Sequence, residues 1–253
     1  MILNAFSLAG KVAIVTGCDT GLGQGMTAAL AEAGCDIVGV NRKVPHQTAT
    51  IVAAAGRRFF AIQADLSQQD AIPDIVSQTV EKFGRIDILV NNAGTIRRED
   101  ALSFSEKDWD EVMDLNLKSV FFLSQAVARH FVARQQGGKI INIASMLSFQ
   151  GGIRVPSYTA SKSGVLGLTR LLANEWAQYG INVNAIAPGY MATNNTQQLR
   201  EDAGRNKEIV DRIPAGRWGT PEDLQGPVVF LASGASDYVN GYTLAVDGGW
   251  LAR

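Results

Sequence analysis

Seven short apolar runs recur along the chain, separated by longer segments in which apolar residues return at helical spacing. Within the runs, β-branched and other apolar residues follow one another without polar alternation, which is typical of strands covered on both faces. The pattern predicts strands at 11–16, 37–41, 59–63, 88–91, 139–143, 182–186 and 243–246.

Strands that alternate with helix-length segments predict an α/β fold. We expect a single domain over residues 1–253, built as a Rossmann-like doubly wound parallel sheet of about seven strands with helices on both faces. A long helix is predicted at 108–134. The polar segment 190–218 shows no regular pattern, and its place after a predicted strand makes it a candidate substrate lid.

With 46% hydrophobic residues the chain can fill a large core, and no apolar stretch approaches the roughly 18 residues of a membrane span. The 23 basic and 24 acidic residues nearly cancel, which gives no support for a nucleic-acid-binding face. The first residues lack a signal-peptide pattern, and two cysteines do not suggest a disulfide framework. We therefore expect a cytoplasmic protein without membrane or nucleic-acid partners.

The segment Thr16-Gly-Cys-Asp-Thr-Gly-Leu-Gly23 follows the first predicted strand and leads into a helical stretch. Gly17, Gly21 and Gly23 would let a backbone turn approach a pyrophosphate, whose charge the helix N-terminus favours. Glycines that serve only a tight turn are the alternative for this loop taken alone.

Tyr158 and Lys162 stand four residues apart, so on a helix they share one face. An ammonium about 4 Å from a phenolate stabilises it by roughly 4 kcal/mol at an effective dielectric near 20, which would bring the tyrosine pKa towards neutrality. Upstream, Ser145 ends a predicted strand, where sheets of this type build their sites. Taken alone, Tyr-x-x-x-Lys is more often an ordinary helix surface.

The order of these motifs resembles the short-chain dehydrogenase/reductase family, whose pattern is T-G-x-x-x-G-x-G, N-N-A-G, Asn, Ser, Y-x-x-x-K and P-G. All of these pieces are present, spread over essentially the whole chain. The resemblance implies hydride transfer between a nicotinamide and an alcohol, catalysed by Asn116, Ser145, Tyr158 and Lys162. In it Tyr158 is the acid/base and Asn116 holds a water of a proton relay. An amide satisfied within the core is the other interpretation of Asn116.

The resemblance also implies the coenzyme contacts. Asp65 would hold the adenine amino group and Thr193 the nicotinamide carboxamide, although Asp65 could equally cap a helix. The full set is Gly17, Thr20, Gly21, Leu22, Gly23, Asn41, Arg42, Asp65, Leu66, Asn92, Ala93, Gly94, Tyr158, Lys162, Pro188, Gly189, Met191 and Thr193. No residues with metal-ligand spacing accompany it, so we expect no metal.

The second predicted strand ends in Asn41-Arg42 instead of the acidic residue that often binds the adenosine ribose. Asn41 could hydrogen-bond a hydroxyl, whereas Arg42 could pair with a 2′-phosphate or remain solvated. We expect NAD as the coenzyme, with NADP possible because of Arg42.

Arginines and amides gather near the predicted mouth of the site, where Arg97 and Arg98 directly follow the N-N-A-G motif. Such side chains suit a carboxylate on a hydroxylated chain, although many of them simply solubilise a surface. The predicted substrate contacts are Arg97, Ser145, Gln150, Arg154, Tyr158 and Asn194. They indicate a polar, acidic, sugar-like alcohol.

Two other functions are compatible with these motifs. A 3-oxoacyl-thioester reductase would carry the same catalytic residues and normally prefers NADPH, which Arg42 would suit. A sensor or scaffold could bind a dinucleotide without turnover, but it would need none of the catalytic residues. Activity against a panel of sugar acids and acyl thioesters distinguishes these functions.

The predicted helix at 108–134 and the helix after Tyr158 carry more apolar residues than one sheet-facing stripe requires. Beyond the last predicted strand, Trp250 would expose a large indole unless a second contact covered it. Because the family pairs the equivalent helices across a two-fold axis, two such contacts predict a homotetramer. The alternative is that these side chains fold back onto their own subunit.

Overall fold

The computed structural model describes residues 1–253 and contains one seven-stranded sheet, whose neighbouring strands are all parallel. The strands are β1 (Val12–Thr16), β2 (Asp36–Asn41), β3 (Phe59–Gln63), β4 (Ile88–Asn91), β5 (Gly138–Ile143), β6 (Ile181–Pro188) and β7 (Thr243–Val246). Their order is β3-β2-β1-β4-β5-β6-β7, so the chain order reverses between β1 and β4. In open α/β sheets a ligand cleft forms outside the carboxyl ends of the strands at such a point.

Nine α-helices connect and follow the strands. They are α1 (Gly21–Glu32), α2 (His46–Ala54), α3 (Ile72–Phe83), α4 (Glu106–Met113), α5 (Ser119–Arg134), α6 (Pro156–Trp176), α7 (Gln197–Glu201), α8 (Ala203–Arg212) and α9 (Gln225–Ala232). Met26 of α1 and Leu231 of α9 join the apolar core on one face of the sheet. Leu123 of α5 and Leu172 of α6 join the core on the other face. The predicted doubly wound α/β fold is therefore confirmed. None of the helices combines the length and apolarity needed to cross a bilayer.

All seven predicted strands are present, with bounds that differ at four of them by one or two residues. Every residue of β1, β2 and β4 is buried, as strands covered on both faces require. The edge strands differ, because β3 and β7 each keep partly exposed residues along most of their length. Continuous apolar runs therefore did not distinguish central strands from edge strands.

The single helix predicted at 108–134 is interrupted. It begins earlier, as α4, where the hydroxyl of Ser105 accepts a hydrogen bond from the backbone of Asp108 at 3.1 Å. A π-helical segment, Asp114–Lys118, then separates α4 from α5. π-Segments inside helices are frequent at functional sites, and this one contains Asn116.

The segment 190–218 is more regular than predicted, because it forms α7 and α8. The carboxylate of Asp202 begins α8 by accepting hydrogen bonds from Gly204 and Arg205, both at 3.0 Å. Ile209 and Ile213 are buried beneath the helix. The many polar residues of this segment face outward, and the few apolar ones are enough to dock it.

The predicted exposure of Trp250 is wrong. Its side chain is 5% exposed, and its ring lies 4.8 Å from that of Tyr190 in the same subunit. Several large apolar residues of α5 and α6, such as Phe131 and Leu172, are likewise buried within the subunit. Trp109, Phe122 and Leu171 remain 39%, 39% and 46% exposed, so an apolar face survives on α4, α5 and α6.

Candidate active site

The glycine loop forms a tight turn between β1 and α1. Gly17 and Gly21 adopt φ angles of 64° and 55°, a region that other residues rarely occupy. A Cβ on Gly23 would overlap the carbonyl oxygen of Gly17, so only glycine allows the helix to start this close to the strand. Thr20 precedes α1 without a side-chain cap, which leaves the first helical N–H groups available. This cradle fits a dinucleotide pyrophosphate.

The N-N-A-G segment joins the end of β4 to the glycine loop. The Asn92 amide donates to the carbonyls of Thr16 and Gly17 at 3.0 and 2.8 Å, while the backbone N–H of Ala93 donates to the Thr16 hydroxyl at 2.9 Å. A Cβ on Gly94 would lie 3.2 Å from Oδ1 of Asn116. These contacts fix the N-N-A-G segment against the glycine loop at the switch point of the sheet.

The two polar residues at the end of β2 differ in their exposure. Asn41 is buried and donates to the Cys18 sulfur at 3.2 Å, while its Oδ1 has no partner. Arg42, in contrast, is exposed and forms no ion pair. At this edge Asn41 therefore offers an unpartnered acceptor and Arg42 an exposed cation to an adenosine ribose.

Asp65 caps the turn after β3, as its alternative interpretation anticipated. Its Oδ1 accepts from the backbone and hydroxyl of Ser67 at 3.0 and 2.8 Å. These bonds, and the nearby charge of Arg42, lower the pKa of Asp65. The next residue, Leu66, is buried in the core and supports the turn.

Tyr158 and Lys162 lie on the first turns of α6, which Pro156 begins with its fixed φ angle. The Lys162 amine donates to the carbonyl of Ile143 at 2.6 Å and lies 5.7 Å from the centroid of the Tyr158 ring. Burial lowers the pKa of Lys162 to about 8. The predicted pairing on one helix face is therefore present, anchored to the end of β5.

The electrostatics of Tyr158 differ from the prediction that Lys162 alone would make it acidic. Burial raises the pKa of Tyr158, whereas the Ser145 hydroxyl and the positive charge of Arg98 lower it. The Lys162 amine is instead directed at a backbone carbonyl. The Arg98 charge therefore adds to that of Lys162, whose amine lies 5.7 Å from the ring centroid, and Arg98 was not among the predicted site residues.

Ser145 lies two residues after the end of β5 and caps the short 3₁₀ turn Met146–Ser148. Its hydroxyl accepts from the N–H of Leu147 at 3.2 Å. Ser148 accepts from the Ser145 backbone at 3.3 Å and donates to the Lys162 carbonyl at 2.6 Å. The serine turn and the tyrosine helix are thereby joined by one buried hydroxyl.

Asn116 is 1% exposed and fully hydrogen-bonded within the protein. It exchanges bonds of 2.8 and 2.9 Å with the backbone of Thr95 and donates to Ser161 at 3.3 Å. Ser161 in turn donates to the Tyr158 carbonyl at 2.8 Å. The π-segment therefore links Asn116 to the catalytic helix and to the segment after the N-N-A-G motif.

The end of β6 approaches the glycine loop from across the cleft. A Cβ on Gly189, next to Pro188, would lie 2.6 Å from Cα of Asp247. Met191 is buried and pairs with Gly219 in a short parallel bridge. Thr193 follows, with its methyl group 3.5 Å from the place of a Cβ on Gly21. This places Thr193 next to the glycine loop.

A polar cavity of about 550 Å³ opens at the mouth of the site, and Ile96 is its one hydrophobic lining residue. It is lined by Gly94, Thr95, Ile96, Arg97, Arg98, Asn194, Asn195, Gln197, Gln198 and Glu201. Arg98 reaches across it and donates to the Asn195 carbonyl at 3.2 Å. The predicted Asn194 lies on this wall.

Three of the predicted substrate residues, Arg97, Gln150 and Arg154, have partners within the protein. The Arg97 guanidinium donates twice to Glu111, at 2.7 and 3.1 Å, and lies 3.4 Å from Asp108, so it is held by α4. Both arginines line the cavity, but Arg98 forms no ion pair, whereas the carboxylates of Glu111 and Asp108 hold Arg97. Arg98 is therefore the arginine available to a substrate carboxylate.

Two further candidates lie on the loop that follows the serine turn. Gln150 accepts from Arg212 of α8 at 3.4 Å. Arg154 adopts a left-handed φ of 62°, accepts from the Glu99 N–H at 3.1 Å and lies 3.9 Å from its carboxylate. Both residues therefore link segments around the mouth, and neither side chain lines the cavity.

Comparison with known proteins agrees with this geometry. The model of the short chain dehydrogenase family matches residues 11–204. The 2-dehydro-3-deoxy-D-gluconate 5-dehydrogenases of Escherichia coli and Bacillus subtilis are 74% and 56% identical over at least 98% of both chains. A gluconate 5-dehydrogenase from Burkholderia cenocepacia, solved with NADP and tartrate, is 40% identical over the full length of both chains, with a TM-score of 0.95. The chain therefore belongs to the short-chain dehydrogenase family, and it is an NAD(P)-dependent oxidoreductase that acts on a CH–OH group.

Proposed function

We propose that this chain oxidises the C5 hydroxyl of 2-dehydro-3-deoxy-D-gluconate with a nicotinamide dinucleotide. The observation that carries the proposal is the position of Arg98, which lines a polar cavity and whose charge acts on Tyr158. A carboxylate and several hydroxyls are the groups that such a wall of arginine and amides binds. The 74% identity to the Escherichia coli enzyme supports the same substrate.

Each catalytic residue has a separate role in the reaction. When bound, the dinucleotide supplies the hydride acceptor. Tyr158 takes the hydroxyl proton in oxidation and returns it in reduction, and Ser145 donates a hydrogen bond to the substrate oxygen. Lys162 and Asn116 hold the start of α6 against β5 and the Thr95 backbone.

The raised pKa of Tyr158 predicts how the rates of oxidation and reduction depend on pH. Because burial holds the pKa of Tyr158 above its ordinary value, the phenol dominates at neutral pH. Oxidation needs the phenolate, so its kcat/KM should rise as the pH rises through the alkaline range. Reduction needs the phenol and should not rise with it.

The substrate proposal is tested with a panel of sugar acids and 3-oxoacyl thioesters, each followed by nicotinamide absorbance with both coenzymes. We expect 2-dehydro-3-deoxy-D-gluconate to have the highest kcat/KM. A 3-oxoacyl-[acyl-carrier-protein] reductase of Thermotoga maritima is 36% identical, so faster turnover of a thioester would assign that activity instead.

For the coenzyme we infer that NAD is preferred and NADP is accepted. A 2′-phosphate next to Arg42 would also approach the Asp65 carboxylate, whose pKa is lowered by its hydrogen bonds with Ser67 and by the Arg42 charge, whereas a hydroxyl could donate to that carboxylate. A structure from Agrobacterium tumefaciens with bound NADP, 58% identical, supports acceptance of the phosphate. Arg42→Asp should abolish use of NADP and leave NAD within about threefold. A higher kcat/KM with NADP in the parent would refute the preference.

We propose that 190–218 acts as the substrate lid. Asn194, Gln197 and Gln198 form one wall of the cavity, and the opposite wall includes Arg98. The bond from Arg98 to the Asn195 carbonyl joins the two walls at 3.2 Å. A substrate carboxylate that binds Arg98 would therefore lie under α7.

We also propose that the protein is a homotetramer. The exposed apolar residues Trp109, Phe122 and Leu171 support one contact between copies. Because Trp250 is covered within its own subunit, it does not support the second contact, which rests on the family resemblance alone. Light scattering on the 27.1 kDa chain decides the matter, because a monomer at micromolar concentration would contradict both contacts and a dimer would contradict one.

A further inference from the structure

The last residues of the sequence lie against the end of α8. Arg253 donates from Nε to the carbonyl of Arg212 at 3.0 Å and from Nη2 to the carbonyl of Asp211 at 2.8 Å. The final carbonyls of a helix have no partner within the helix and carry partial negative charge. A guanidinium at this place therefore satisfies two of them and complements the helix dipole.

The same segment holds the final side chain of α8. The guanidinium carbon of Arg212 lies 3.9 Å from the centroid of the Trp250 ring, well within the range of a cation–π contact. The ring itself is fixed, since Trp250 is 5% exposed and packs in a T-shaped contact on Tyr190. Trp250 also shares a buried apolar cluster with Ile209 and Ile213 of the lid.

Two sets of contacts connect α8 and residues 250–253 with the substrate cavity. Met146, which directly follows Ser145, belongs to the same apolar cluster, and Arg212 donates to Gln150 at 3.4 Å. Along the lid, Asp202 joins α8 to α7, whose residues Gln197 and Gln198 line the cavity. A shift of α8 would therefore move one wall of the mouth.

We propose that residues 250–253 form a clamp segment that sets the position of α8, and that Arg212 and Arg253 are positioning residues for binding of the sugar acid. The proposal rests on the proposed substrate and lid. Neither arginine lines the cavity. Both act through the backbone and the packing of the lid, so they should affect binding of the sugar acid and leave coenzyme binding and proton transfer unchanged.

The test compares Arg253→Ala with Arg205→Ala as a matched control. Arg205 is an exposed arginine of the same helix, and its side chain contacts only Glu208, within α8. We expect Arg253→Ala to raise KM for 2-dehydro-3-deoxy-D-gluconate by about fivefold, because two charge-assisted hydrogen bonds are lost at an exposed site. The values of kcat, coenzyme KM and thermal midpoint should stay near those of the parent. Arg253→Lys, which keeps the positive charge but has fewer hydrogen-bond donors, should give an intermediate KM.

Hydrogen exchange provides a readout that does not require activity. Amides of α8 should exchange faster in Arg253→Ala than in the parent or in Arg205→Ala, whereas those of α6 should not change. Unchanged exchange in α8 would overturn the clamp. A KM within twofold of the parent, or an equal rise in sugar-acid and coenzyme KM, would overturn the positioning role. If the parent does not oxidise the sugar acid, the proposed substrate is wrong, and exchange in α8 still decides the clamp.

Discussion

The coenzyme edge and the substrate mouth of this protein are built in different ways. At the coenzyme edge, glycine backbone, buried strands and the Asn92 amide determine the geometry, and a single Cβ would disrupt it. At the mouth, polar side chains on α7 and on the segments after β4 and β6 determine it, through contacts such as that of Arg98 with Asn195. Backbone constraints leave a signature in the sequence, whereas the direction of an exposed arginine depends on its neighbours.

The catalytic pair belongs to the rigid region, and its removal should have the largest effect. Tyr158→Phe should lower kcat by about a thousandfold, because positioned acid/base catalysis contributes a factor of this order. Coenzyme binding, measured by fluorescence titration, should stay near the parental value. Tyr179→Phe is the control, since Tyr179 is 46% exposed at the end of α6. A Tyr158→Phe variant with a kcat within tenfold of the parent would contradict the assignment of Tyr158 as the acid/base.

A substitution in the glycine loop should have the next largest effect, and it should act on coenzyme affinity. Gly23→Ala places a Cβ against the carbonyl oxygen of Gly17, so the turn must open and coenzyme affinity should fall by about tenfold to a hundredfold. Gly226→Ala, in α9, meets no atom within 4 Å and serves as the control. The Gly226 variant should match the parent or be slightly more stable, since alanine favours a helix. Equal coenzyme affinity in both variants would contradict a rigid coenzyme edge.

Removal of an exposed ion pair at the end of the lid segment should have the smallest effect, and it should act on stability. Arg217 binds Asp223 through two bonds of 2.7 Å, and this pairing is the main cause that lowers the pKa of Asp223 to about 2. A depressed carboxyl pKa contributes stability above the ordinary pKa of the group, and that contribution is lost as the pH falls from about 4 to about 2. Arg217→Ala should therefore lower the thermal midpoint at pH 7 by no more than about 2 °C. The difference should shrink below pH 4, and a difference that grows in acid would contradict this account.

The same contrast explains what could be predicted from the sequence. The doubly wound sheet followed from uninterrupted apolar runs, and the glycine loop followed from its position between a strand and a helix. The π-segment around Asn116 could not be predicted, because its residues fit an ordinary helix equally well. Likewise, Trp250 could be placed next to the last strand, but the Tyr190 and Arg212 side chains that cover it come from distant segments.

Arg97 and Arg98 show this limit within two neighbouring residues. Sequence reasoning selected Arg97, yet the carboxylates of Glu111 and Asp108 hold its guanidinium against α4. Those partners lie on a helix whose start and rotation the sequence does not specify to the nearest residue. The strands and the glycine turn were therefore predictable, and the assignment of one arginine over the other required the structure.

The most direct test of the account compares Arg98→Gln with Arg97→Gln, using 2-dehydro-3-deoxy-D-gluconate and NAD across a range of pH. Arg98→Gln should raise KM by at least about tenfold, the value of one charge-assisted hydrogen bond. It should also move the pH profile of oxidation to higher pH, because the Arg98 charge lowers the pKa of Tyr158. Arg97→Gln should leave the profile in place and KM within about threefold, because its partners are Glu111 and Asp108. A larger KM effect for Arg97→Gln, or an unshifted profile for Arg98→Gln, would contradict the claim that Arg98 joins substrate recognition to the catalytic tyrosine.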